Sequence, residues 1–198
     1  MEAMLANTKA SVVGTHPMFG PGVNTYQNQR VVVCPGRGDE WLAWVRQMLT
    51  ARGLVITDAT AEEHDRMMAI VQVLHHYKTQ VLGVALSKLG VSLESSLRFT
   101  SPAYLLEAYV AGRHFAQSPD LYGAIEMLNP DTDMVTRVFR DAAEDVAQIL
   151  LSQNQDQFDT MFKEVGDFFG PFTEEALEQS AFLIDRLVEL SAGRALGS

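Results

Sequence analysis

A chain of 198 residues, 47% of them hydrophobic, has enough apolar material for one large domain or two small ones. Fifteen basic against 25 acidic residues leave a net charge of −10, so there is no basic surplus to release the counterions of a nucleic-acid backbone. A single cysteine, Cys34, excludes an internal disulfide framework. No apolar run reaches membrane-spanning length and the segment around Glu2 is no secretory leader, so a soluble cytoplasmic protein with no membrane or nucleic-acid partner is expected.

Residues 1–58 read as α/β. Three runs rich in β-formers, Ser11–Thr15, Arg30–Cys34 and Leu54–Thr57, bound the stretch. Between the last two, Trp41, Leu42, Val45, Met48 and Leu49 recur at helical spacing over Asp39–Arg52, and Gly53 ends that helix. Strand, helix, strand predicts a crossover unit in a small sheet. Three strands and one helix leave open edges and an uncovered face, so a partner or the helical remainder must complete them.

Residues 59–198 read as all-helical. Thr60 and Glu63 form a capping box opening a long helix that runs to about Leu89 and stops at Gly90. Ser101-Pro102 and Ser118-Pro119 are N-caps followed by proline at the first helical position. Asn129-Pro130-Asp131 breaks the chain before helices over Thr132–Ser152 and Gln155–Phe169. Gly170-Pro171 is a stop, and a last helix begins near Thr173.

Five histidines are the first candidates for chemistry: His16, His64, His75, His76 and His114. His75 and His114 read as ordinary core or surface histidines. His64 and His76 fall about 120° apart on a regular helix, so they share no narrow face and lack metal-ligand spacing; no metal site is expected. Arg113 stands in the apolar helix Leu105–Phe115, where a guanidinium needs an anion. That anion is either an internal partner, Glu107 or Asp65, or a substrate carboxylate held in bidentate geometry. Neither Gly20-Pro-Gly22 nor Gly36-Arg-Gly38 completes a dinucleotide fingerprint, and no nucleophile elbow occurs.

Three motifs in order, "HPMFGP" (16–21), "EHDRMMAIVQVLHH" (63–76) and "SPAYLLEAYVAGRHFAQSPDLY" (101–122), make the chain from about Met4 to Leu190 resemble prephenate dehydrogenase. The nearest likeness is to the dehydrogenase part of T-proteins. The resemblance implies a mainly α fold: a helical C-terminal dimerisation domain (59–198) preceded by a small α/β remnant of a Rossmann sheet (1–58). It implies oxidative decarboxylation of prephenate with NAD, and a homodimer through the C-terminal helices. It makes His16 the base that takes the ring-hydroxyl proton and Arg113 the grip on a carboxylate. His64, His76, Gln117 and Tyr122 become pocket residues.

Two departures stand against it. Leu105 replaces a frequent second arginine, and the family's glycine-rich turn and most of its parallel sheet would precede Met1. The three strands then look like the last ones of that sheet. The expectation drawn is a stand-alone non-redox enzyme with no cofactor: a lyase, dehydratase, isomerase or cyclase acting on a small carboxylate or keto substrate, as in natural-product biosynthesis. The alternative is the catalytic and dimerisation part of an NAD-dependent prephenate dehydrogenase, using NAD supplied by a separate nucleotide-binding domain. A third reading is a binding protein for prephenate or tyrosine without chemistry.

Overall fold

The computed structural model describes residues 1–195, with side chains through Leu190. It opens with a short helix, α1 (Glu2–Asn7), and strands β1 (Val12–Pro17) and β2 (Arg30–Arg37). Helix α2 (Asp39–Ala51) then leads to β3 (Val55–Asp58). The sheet order is β1-β2-β3, with β2 antiparallel to β1 and parallel to β3, so α2 is the expected crossover. Val31, Val32, Val33 and Cys34 are all buried, which means that both faces of β2 are covered. At the end of α2, Gly53 (φ 78°) takes the left-handed turn, with Gly53 N–H donating to Thr50 and Leu54 N–H to Leu49.

The long helix is not uniform. It comprises α3 (Ala61–Met68), a π-helical stretch over Ala69–Leu74, and α4 (His75–Lys88). The angular count that set His64 and His76 about 120° apart assumes a regular helix and does not apply through a π turn. Then follow α5 (Leu93–Leu97), α6 (Pro102–Phe115), α7 (Pro119–Met127), α8 (Thr132–Ser152), α9 (Gln155–Phe169) and α10 (Phe172–Ala195). The expected capping box is present, because Thr60 Oγ1 accepts from Glu63 N–H while Glu63 accepts from Thr60 N–H.

The chain divides into two compact units. The first comprises Met1–Val71 with Asn129–Asp131, and the second Gln72–Leu128 with the chain from Thr132 onward. The change of architecture at 58 therefore does not coincide with the division, which falls inside the long helix. Local contacts explain why. Ala59 N–H donates to the Val33 carbonyl, Cys34 Sγ–H to the Thr60 carbonyl, and Asn129 Nδ2 to the Asp65 carbonyl at 2.8 Å, tying α3 and the 129–131 turn to the sheet.

Within the second unit α6 packs on α4 and α10, and α8 contacts α9. An apolar cleft of about 680 Å³ opens there, lined by Val84, Leu86, Leu89, Leu93 and Phe115 among others. Among the described residues no helix is long and apolar enough to cross a membrane.

Candidate functional site

Two clusters of candidate residues form, one in each unit. In the first, β1 presents His16 opposite Val32 of β2. Its Nδ1 lies 2.8 Å from His64 Nε2, and His64 Nδ1 lies 2.9 Å from Asp65 Oδ1. The carboxylate can only accept, so His64 carries its proton on Nδ1 and its Nε2 accepts from His16 Nδ1–H. That leaves Nε2 as the basic nitrogen of His16. Burial, then the neighbouring His64, push the pKa of His16 below the usual histidine value, so the ring is neutral and basic at physiological pH.

In the second unit α4, α6 and α7 bring His76, His114 and Tyr122 into ring contact. Tyr122 lies 4.7 Å from His76 and 4.2 Å from His114, centroid to centroid. Gln80 Nε2 donates to Glu126 Oε1 at 2.8 Å and lies 3.2 Å from His114 Nε2. His76 Nδ1 is buried without a hydrogen bond among the described residues, 3.6 Å from Glu126 Oε1. Burial, with His114 and His75 nearby, lowers its pKa to about 4, while burial raises that of Glu126. The cluster is thus a largely desolvated group of polar side chains with a neutral imidazole at its centre.

The expected site residues divide accordingly. His16 and His64 meet, and so do His76 and Tyr122. Arg113 is exposed on α6, which corrects the premise that it needs an internal anion. Glu107 instead pairs with Lys78 Nζ at 3.3 Å and Asp65 pairs with His64, and no ion pair to Arg113 occurs among the described residues. Gln117 is also exposed, its amide donating to the Arg113 carbonyl at 3.3 Å. The sequence assigns no site role to Gln80, His114 or Glu126, and offers Asp65 only as a candidate partner of Arg113. Glu126 and Gln80 carried no motif, and His114 was set aside although it adjoins Arg113.

Comparison with known proteins bears on the family. The family described as "Prephenate dehydrogenase, dimerization domain" matches residues 60–164, more than half of the chain. The chain belongs to the prephenate dehydrogenase family. It is 32% identical to the T-protein of Haemophilus influenzae over 96% of its own length and 50% of that protein. It is 33% identical to a probable arogenate/prephenate dehydrogenase of Methanocaldococcus jannaschii, over 81% of this chain and 36% of that one. The arogenate dehydrogenase of Synechocystis shares the fold, with a TM-score of 0.63 at 19% identity over 83% of this chain and 62% of that one. So does Aquifex aeolicus prephenate dehydrogenase with hydroxyphenyl propionate and NAD+, with a TM-score of 0.60 at 19% identity over 77% and 56%. The chain thus spans about half the length of the T-proteins that it matches.

These relatives overturn the expectation of a non-redox lyase, dehydratase, isomerase or cyclase. The family is one of dehydrogenases, so its chemistry is that of an oxidoreductase. A glycine-rich turn concerns where a nucleotide binds and not which reaction the substrate side serves. The two strand-to-helix junctions do not suit a dinucleotide's pyrophosphate. Both strand-to-helix junctions open on acidic first turns, Asp39 and Glu40 in α2 and Glu62 and Glu63 in α3, where an anion would meet carboxylates. The capping box already occupies the Glu63 amide of α3.

Proposed function

We propose that this chain is the substrate-binding and proton-abstracting part of a nicotinamide-dependent dehydrogenase acting on prephenate or a close cyclohexadienol relative, in the cytoplasm. The nucleotide is held by protein outside the described residues and supplies hydride acceptance. The contribution of this chain is acid–base chemistry and orientation. The observation that carries the reading is His16: a neutral imidazole on a strand, with its Nδ1 proton directed at His64, so that Nε2 is the ring nitrogen able to take up a proton. Such a base removes the proton of the ring hydroxyl as hydride leaves the same carbon, and loss of carbon dioxide then makes the ring aromatic. Arg113, exposed and without an internal ion pair among the described residues, serves as the fork for a substrate carboxylate. His64, His76, Gln117 and Tyr122 complete the substrate contacts.

A homodimer belongs to the same proposal. The chain exposes 14709 Å², whereas two separate folded bodies of half its mass would together expose about 11,000 Å². Helices α8 to α10 contribute much of the apolar part, with Leu151, Phe162, Phe168, Leu177 and Phe182 all exposed.

The test joins this chain to the nucleotide-binding portion of a T-protein relative and supplies prephenate and NAD. Reduced nucleotide and 4-hydroxyphenylpyruvate in equal amounts are expected, with His16→Ala slowing turnover by about 10²–10⁴-fold. Decarboxylation without nucleotide reduction, or tight binding with neither product, would overturn the reading.

A further inference from the structure

Asp65 is outside the proposed substrate contacts, yet it is hydrogen-bonded to one of them, His64. Its side chain is half exposed, yet its Oδ1 sits 2.9 Å from His64 Nδ1, and the opposite nitrogen of that ring is 2.8 Å from His16. The three groups are therefore joined by two hydrogen bonds, from Asp65 through His64 to the base. Each ring in such a line has one protonation pattern that satisfies both of its contacts, and the carboxylate end dictates it. The Asp65 backbone is pinned independently, since its carbonyl accepts from Asn129 Nδ2 at 2.8 Å, so a change of side chain need not move the main chain.

We propose that Asp65 is a positioning residue that sets, through His64, the tautomer of His16, holding the proton on Nδ1 so that Nε2 is the nitrogen offered to the substrate. The inference rests on the reading of His16 as the base. Without the carboxylate, His64 is free to carry its proton on Nε2. Two N–H groups would then confront each other across the His16–His64 contact unless His16 also switched. In that switched state the lone pair of His16 points at His64 and the base is turned inward. His64 therefore acts as a rigid coupler, and Asp65 chooses its state without touching the substrate.

The test reads the tautomers directly. The chain is labelled with ¹⁵N-histidine and the ring nitrogens are followed by long-range proton–nitrogen correlation at pH 8, the signals of its five histidines being assigned by single substitutions. In the unmodified chain His16 and His64 should both carry their proton on Nδ1. In Asp65→Ala the Nδ1–H population of both rings should fall at least about twofold, because the partner of the other nitrogen is what fixes the tautomer. If Asp65→Ala does not fold, Asp65→Asn gives the reading. Its amide can accept from or donate to His64 Nδ1, so a mixed tautomer is expected there too.

In the joined enzyme, Asp65→Ala should lower kcat by about 10–100-fold with KM nearly unchanged, the cost typical of outer partners that orient a functional histidine. A proton on Nε2 of His64 in the unmodified chain would overturn the proposal. So would unchanged tautomers in the folded Asp65 variant. The spectra require neither prephenate nor nucleotide, so a chain inert as a dehydrogenase would sink the functional reading while leaving this result to stand or fall alone.

Discussion

At the level of single side chains, His76 shows how burial selects a protonation state. With 14% of its side chain exposed, it faces Glu126, His114 and Tyr122, and its pKa falls to about 4. In the unfolded chain the same ring titrates near 6.5. Between these values the unfolded state binds more protons, so folding stability is intact above pH 6.5 and declines as pH falls towards 4. The full difference is at most about 3 kcal/mol. The lowered pKa of His114 acts in the same direction, whereas the raised pKa of Glu126 opposes it as pH falls towards 4.5. Urea unfolding from pH 7 to pH 4.5 should show that decline, and His76→Gln should flatten it.

Arg113 is the converse case. It is exposed and forms no ion pair among the described residues, so Arg113→Ala should shift stability by no more than about 0.5 kcal/mol. Calorimetric titration with prephenate should nevertheless show affinity reduced at least about tenfold, as for loss of a charge-assisted hydrogen bond. A large fall in Tm with affinity unchanged would make the arginine structural.

At the level of elements, the join between sheet and helices is the sensitive place. The capping box at Thr60 starts the helix that carries His64 and Asp65. Thr60→Ala removes the bond to Glu63 N–H and should cost about 1 kcal/mol, measured as a lower urea midpoint with an unchanged slope. The pairing of β2 with β1, the strand that presents His16, shifts register between Val12 and Val13, with Gly36 the extra residue on β2. A Cβ at Gly36 would come within 2.6 Å of the Val12 carbonyl oxygen. Gly36→Ala should therefore disturb β1 pairing and cost about 1–3 kcal/mol, seen as faster amide exchange along β1 than along β3. The π stretch at Ala69–Leu74 follows the same logic. A wide turn sustained where Ala69 and Val73 are fully buried must be held by packing, because the local sequence favours an ordinary helix.

At the level of the whole molecule, the exposed apolar side chains of α8 to α10 should be covered by a second copy. Light scattering at micromolar concentration should report twice the chain mass of 21.9 kDa. Phe168→Glu, at a side chain 84% exposed in the single chain, should return the monomer with its helical content retained. A monomer before substitution would refute the homodimer.

Much of the architecture is a local matter and was legible in the residues. Ser101-Pro102, Thr60 with Glu63 and the Gly53 turn are signals within a few positions of the bond they satisfy; Ser118-Pro119 marks the start of α7 although the Ser118 side chain makes no cap bond, and α8 and α9 begin and end where expected. The motif around His16 and the one around Arg113 are contiguous, so the family too could be read from the sequence. Tertiary structure decided what depends on distant neighbours. It placed His64 against His16, 48 positions away, and gathered Gln80, His114 and Glu126 around His76. It also left Arg113 in solvent although its helix is apolar, because a single apolar segment does not reveal which of its faces is covered. Spacing along the chain dictates helices and caps through bonds between near neighbours, whereas burial and proton placement are set by whatever the fold brings alongside.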